Sequence, residues 1–211
     1  MIFYLGLITI ISYLCGSLPT AYIAGKLIKG IDIRQHGSGN VGATNVFRVL
    51  GTKWGIFVLV VDIVKGGLAV YIAQIIWLST FPLASSVWLG SGVIAFLGHL
   101  FPVWLHFKGG KGVAVATGMF LVLKPLELGS AILFFLIVLF IGRYVSLASM
   151  LSGLFLTIMV YLNLLAQPMS LLQPFLIVTP MIAILIIVMH RKNMKRLING
   201  EENKIFVPKE K

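Results

Sequence analysis

Apolar runs about as long as a bilayer is thick alternate with short polar loops along this chain, and that alternation excludes most folds open to 211 residues. A helix needs roughly 20 apolar residues to cross the hydrocarbon core. Seven segments approach or reach that length, at about 2–24, 54–78, 84–105, 112–123, 128–142, 146–164 and 172–190. Backbone polar groups find no water in lipid, so spanning segments of this kind are expected to be helices. The expected fold class is therefore all-α, a polytopic membrane helix bundle of about seven transmembrane helices. Two of them, 112–123 and 128–142, are short and are parted by KPLE at 124–127, so they read as two tilted spans or as a re-entrant hairpin. The first segment lacks a basic leader and runs on past GSLPT to Lys26, which reads as a retained helix and not a cleaved signal.

Composition agrees. With 59% hydrophobic and 11% charged residues, too few polar side chains remain to coat a soluble domain. Cys15 is the one cysteine, so an intramolecular disulfide and a thiolate metal cluster are excluded. There is no repeat at a fixed period and no low-complexity linker, and residues 1–211 are read as a single integral membrane domain.

The charges are distributed unevenly. Of 17 Lys and Arg, 15 fall in one set of alternate loops and in the C-terminal tail, Lys124 falls in the opposite set, and Lys65 falls inside a span. By the positive-inside rule the N-terminus is outside, the C-terminus is cytoplasmic and the polar loops face the cytoplasm. A net charge of +11 points to anionic headgroups or anionic substrates. It does not point to nucleic acid, because the basic residues are scattered over short loops.

Three polar segments share that face: GSGNVGATNVFRVLG (37–51), GHLFPVWLHFKGGKGVAVATG (98–118) and RYVSLAS (143–149). Each carries what an oxyanion site uses. Glycines at 37, 39 and 42, then at 109, 110 and 112, let backbone N–H groups turn toward a ligand. Arg48, Lys108, Lys111 and Arg143 add positive charge. A phosphate monoester carries about −1.5 to −2 at neutral pH, so these cations match roughly two phosphates. Arg143, Ser146 and Ser149 recur at intervals of three, nearly on one helical face, as do His190, Asn193 and Arg196 in the tail. The lysine-glycine loop is not a Walker A loop, since Gly112 follows Lys111 and Leu105 stands where the first glycine belongs. Read alone, it could be a hinge with positive-inside lysines.

The ordered set GSGNVGATNVFR, GHLFPxWLxFKGGKGVAxAxG, RxxSLAS and HRKNMKRLINGEENK resembles the acyl-phosphate-dependent glycerol-3-phosphate acyltransferases of bacteria, the PlsY family. The motifs lie between residues 37 and 204, with one departure at GVAVATG, where family members usually read GVAT. The resemblance implies transfer of an acyl chain from acyl phosphate to the 1-hydroxyl of sn-glycerol 3-phosphate, giving lysophosphatidic acid and phosphate. The implied partners are glycerol 3-phosphate, long-chain acyl phosphate and membrane lipids, with no cofactor, metal or nucleic acid. The implied place is the bacterial inner membrane, with the active site on its cytoplasmic side.

Roles follow from the same resemblance. The second motif is assigned to glycerol 3-phosphate, through Lys108, Lys111 and the amides of Gly109, Gly110 and Gly112. The first motif, with Ser38, Gly39, Asn40, Gly42, Thr44, Asn45 and Arg48, and the third, with Arg143, Ser146 and Ser149, are assigned to acyl phosphate and the reaction centre. Swapped phosphate assignments would look the same in sequence. Asn193 and Arg196 in the tail are expected to reach the site. Direct attack is preferred to an acyl-enzyme on Ser38, Ser146 or Ser149, because acyl phosphate already carries a good leaving group. The proton is expected to pass to a substrate phosphate oxygen, with His99 and His190 the alternative bases. Asp62 and Lys65, three apart, are expected to pair inside the bundle. Lys124 and Glu127 read as a solvated outer turn. A carrier is the rival reading, and it would place its polar residues near the midplane.

Overall fold

The computed structural model describes residues 1–78, 81, 83–165 and 173–205. Leu172 of the seventh apolar segment, and Lys209 and Lys211 of the cationic tail, lie outside the described residues. Among the described residues there are ten α-helices and no strand, as the apolar pattern demands. They form two compact units, Met1–Leu123 and Lys124–Lys211.

The first unit holds α1 (Ile2–Ser17), α2 (Thr20–Lys29), α3 (Ala43–Leu50), α4 (Thr52–Ile76), α5 (Ala84–Leu100) and α6 (Val113–Leu123). The first apolar segment is helical with a break, because α1 and α2 meet at a 40° bend. Pro19 is the cause. It lacks an N–H, and its ring drives Leu18 out of the helical region, to φ −55° and ψ 115°. Elsewhere the unit packs by close backbone approach, which is how helices associate when lipid offers no hydrophobic contrast. A Cβ on Gly118 of α6 would overlap the Ile63 carbonyl of α4, and one on Gly16 of α1 would overlap the Ala95 carbonyl of α5.

The second unit holds α7 (Pro125–Gly142), α8 (Val145–Leu165), α9 (Gln173–Met189) and α10 (Arg191–Ile198). The fifth apolar segment is longer than expected, since α7 begins at Pro125 and has 18 residues. KPLE is not a loop. Pro125 occupies the first helical position, where its missing N–H costs nothing, and only Lys124 stands outside. Lys124 and Glu127 are not solvated, having side chains 13% and 10% exposed and 3.7 Å apart. Phe134 of α7 stacks on Phe155 of α8 with centroids 4.4 Å apart. Pro180 lies inside α9 and cannot donate to the carbonyl one turn back, and that carbonyl, of Leu176, accepts instead from the Tyr161 hydroxyl of α8.

By length and composition α4, Ala84–Leu105, α7 and Val145–Asn163 can each cross a membrane. The bent pairs α1–α2 and α9–α10 raise the candidates to six, and α6 is a shorter apolar helix of 11 residues. All seven apolar segments of the sequence are thus helical.

Candidate functional site

In the first unit the two glycine motifs meet over the break between α1 and α2. The first motif is a loop folded on α3. Asp32 caps a short 3₁₀ turn, Ile33–Gln35, by accepting from the Arg34 N–H, and it holds the Arg34 guanidinium at 2.6 Å. That hydrogen-bonded guanidinium lowers the Asp32 carboxyl to about 2. Asn45 then ties the loop to α3. Its Oδ1 accepts from the Ser38 N–H at 2.8 Å, and its Nδ2 donates to the carbonyls of Ile33 and His36 at 3.2 and 3.0 Å. Asn45 is 1% exposed, so the structure gives it a positioning duty. Gly37 sits at φ +62°, and a Cβ there would overlap Asn45 Oδ1. Ser38 and Arg48 remain exposed, with Gly39, Asn40, Gly42 and Thr44 half-buried between them. Asn40 Oδ1 is buried and has no hydrogen-bond partner.

The second motif turns back on the end of α5. The Gly109 N–H donates to the Leu100 carbonyl at 3.0 Å, and the Gly110 N–H to the His99 carbonyl at 3.1 Å. These amides therefore satisfy α5's C-terminal carbonyls, which correct the phosphate role expected for them. The glycines are needed for closeness. A Cβ on Gly109 would overlap the His99 carbonyl, one on Gly110 the His99 imidazole, and one on Gly112 the Phe96 ring. Lys108 is exposed and Lys111 half-buried beside them. Thr117, at the GVAVATG departure, donates to Val113 O one turn back within α6.

Beneath the loop, His99 is 7% exposed and closes a buried polar chain. Lys65 Nζ lies 2.7 Å from Asp62 Oδ1, 2.9 Å from the Leu18 carbonyl at the α1–α2 bend, and 3.0 Å from His99 Nδ1. Thr20 Oγ1 donates to Asp62 at 3.1 Å. The expected Asp62–Lys65 pair is thus present and buried. A small hollow with room for about one water-sized group opens here, walled by the α1–α2 break, Val41 of the first motif, and His99, Pro102, Leu105, Gly109 and Gly110 of the second.

The second unit gathers the remaining candidates around a carboxylate. Glu202 is 8% exposed and accepts from Ser146 Oγ at 2.8 Å, Asn193 Nδ2 at 2.7 Å and Arg196 Nε at 2.7 Å. Burial raises the Glu202 carboxyl, and the bonds from Arg196, Asn193 and Ser146 together outweigh it, so it titrates below the ordinary value. Ser149 is turned away from this group and donates to Val145 O within its own helix. His190, 3% exposed, donates from Nδ1 to the Ile186 carbonyl at 2.8 Å. Arg143 is exposed and left-handed at φ +62°, a conformation usually left to glycine, and its carbonyl accepts from the Ile205 N–H at 2.9 Å. Glu202 is the residue that sequence reasoning missed. A lone acidic pair, Glu201 and Glu202, in a tail otherwise basic was the available signal. Among the described residues no group of three or more His, Cys, Asp or Glu comes together as a metal site.

The family model for glycerol-3-phosphate acyltransferase matches residues 6–200. Curated glycerol-3-phosphate acyltransferases of Bacillus velezensis and Bacillus subtilis are 42% and 43% identical over 201 residues, covering 95% of this chain and 97% of each relative. The Prochlorococcus marinus enzyme is 42% identical over 203 residues, covering 96% of this chain and 98% of its own. Two solved structures of PlsY (YgiH), an integral membrane glycerol 3-phosphate acyltransferase, are similar at 36% identity. The glycerol 3-phosphate form has a TM-score of 0.85 and covers 95% of each chain. The lysophosphatidic acid form has a TM-score of 0.82 and covers 95% of this chain and 94% of that one.

Proposed function

Proceeding from the fact that the chain belongs to the glycerol-3-phosphate acyltransferase family, we propose that its acyl donor is acyl phosphate and that transfer is direct. The 1-hydroxyl oxygen of glycerol 3-phosphate attacks the acyl carbon. The new C–O ester bond forms, the bond from the acyl carbon to phosphate oxygen breaks, and inorganic phosphate leaves with the electron pair. The hydroxyl proton goes to a phosphate oxygen of a substrate. The products are 1-acyl-glycerol 3-phosphate and phosphate.

The observation that carries this reading is the meeting of both glycine motifs at one place in the first unit, with Lys108 and Lys111 flanking Gly109 and Gly110 there. A small, doubly charged metabolite suits such a place, because fixed cations and donors stabilise developing oxyanion charge without reorganising. Lys108 and Lys111 hold the glycerol 3-phosphate phosphate, and Arg48 serves the acyl phosphate. Ser38 and Thr44 are the hydroxyl donors of the reaction, and Ser146, whose hydroxyl donates to Glu202, braces the third motif. The related PlsY having both a glycerol 3-phosphate form and a lysophosphatidic acid form supports the acceptor and the product. The family match spans residues 6–200, which supports reading the chain as a single acyltransferase domain in sequence. The distribution of lysine and arginine supports a cytoplasmic C-terminus and a cytoplasmic site in a bacterial inner membrane.

Purified protein incubated with glycerol 3-phosphate and either palmitoyl phosphate or palmitoyl-CoA tests the donor. Lysophosphatidate and phosphate should appear together with palmitoyl phosphate alone. Product from the thioester alone would overturn the assignment.

A further inference from the structure

The buried chain of Thr20, Asp62, Lys65 and His99 has no part in the transfer as written above, yet its geometry assigns a chemical state to His99. An ammonium has three hydrogens and no lone pair. Lys65 Nζ has an acceptor for each hydrogen: Asp62 Oδ1 at 2.7 Å, Leu18 O at 2.9 Å and His99 Nδ1 at 3.0 Å. His99 Nδ1 must therefore offer its lone pair. A neutral imidazole carries one hydrogen, so that hydrogen sits on Nε2. Nε2 is the ring atom nearest Gly110, where a Cβ would overlap it, and both residues line the pocket beneath the glycine loop. The other polar side chains of that wall, Ser17 and Thr20, already donate to Leu14 O and to Asp62 Oδ1, and the rest is backbone and apolar side chain, with Val41, Pro102 and Leu105 among it.

We propose that Asp62 and Lys65 are positioning residues that hold His99 as the Nε2–H tautomer, so that it donates a hydrogen bond to a phosphate oxygen in this pocket. Asp62 neutralises an ammonium that would be costly to leave unpaired at this depth, and Thr20 orients the carboxylate. Lys65 in turn occupies the nitrogen through which His99 could otherwise accept a proton. This makes His99 a donor to the bound anion and removes it from the candidate general bases. The ligand's identity as glycerol 3-phosphate rests on the function proposed above, but the tautomer does not.

The test is nitrogen-15 NMR of ring-labelled histidine in the purified full-length protein in detergent micelles, with the His99 signals assigned by their absence in His99→Gln. Wild type should show a protonated Nε2 and an unprotonated Nδ1. In the double variant Asp62→Asn with Lys65→Met, which removes both charges together and spares the fold an unpaired one, that preference should be lost. Kinetics supply the second readout, because the glutamine amide can place a donor near the position of Nε2. His99→Gln should retain activity to within roughly tenfold, whereas His99→Leu should lose roughly 10- to 100-fold, chiefly as a raised KM for glycerol 3-phosphate. A wild-type His99 protonated on Nδ1 would overturn the proposal, as would a His99→Gln variant that melts normally and loses kcat as completely as His99→Leu. If the wild-type protein turned over neither acyl donor, the function reading would fail while the NMR still decided the tautomer.

Discussion

His99 and His190 are both buried, each at the end of an apolar helix, and their surroundings give their Nδ1 atoms opposite parts in hydrogen bonding. His99 Nδ1 meets the Lys65 ammonium, which can only donate, so the ring's hydrogen is on Nε2. His190 Nδ1 meets the Ile186 carbonyl, which can only accept, so there Nδ1 carries a hydrogen. The neighbours differ in the same sense. Around His99 a buried cation is balanced by Asp62, whereas beyond His190 the polar residues of α10 converge on the Glu202 carboxylate. Residue type alone therefore says little about role; the partner atom decides it.

The sharpest way to break this comparison is to remove one network's anion. Glu202→Ala leaves Ser146, Asn193 and Arg196 without their common acceptor. It should lower stability by about 3–5 kcal/mol. Thermal melting in detergent checks this, and a melting point unchanged from wild type would show that the carboxylate organises nothing.

A smaller effect is expected from Gly109→Ala, whose methyl would overlap the His99 carbonyl. Backbone cannot rotate away as a side chain can, so about 1–3 kcal/mol should be lost through overpacking. The KM for glycerol 3-phosphate should rise with it, while Ser146 and Glu202 keep their bond. Steady-state rates against glycerol 3-phosphate report this. A normal KM would mean that the loop yields more easily than its packing implies.

The paired serines of α8 refine the contrast further. Ser146→Ala removes a donor to a buried carboxylate and should cost about 1–3 kcal/mol of stability. Ser149→Ala removes only a bond to its own helix and should change stability by about 0.5 kcal/mol or less. Equal losses measured by denaturant or heat would contradict the different partners.

The mildest effect is on acid stability. Asp32 is lowered to about 2 from 3.8, and Glu202 is lowered as well. A carboxyl depressed in the folded state stabilises above its unfolded value and loses that contribution as pH falls through its folded value. Melting points should thus be level from neutral pH down to about 5 and then decline, with the Asp32 share lost between about 4 and about 2. Asp32→Asn should flatten that lowest part of the profile.

Much of this was readable in the residues. Seven apolar runs became helices, and Asp62 and Lys65, one turn apart, did pair. The part His190 Nδ1 plays is local, since its acceptor lies four residues earlier at a helix end. His99's is not, because Lys65 lies 34 residues away and is also held by the Leu18 carbonyl at the bend that Pro19 makes. The proline was visible, but which side chain reaches that carbonyl depends on packing. The glycines misled for a related reason. Sequence gave donors without direction, and folding turned the Gly109 and Gly110 N–H groups toward α5. Glu202 was hidden because its three donors come from two helices and are drawn together only by the fold.

If the chain works by holding two phosphates while one substrate attacks the other, no acyl-enzyme forms. Purified protein given palmitoyl phosphate and radiolabelled inorganic phosphate, without glycerol 3-phosphate, should then transfer no label into palmitoyl phosphate over many turnover times. Label appearing there together with an acyl adduct on the quenched protein would show an acyl group parked on the chain, and direct transfer would be wrong.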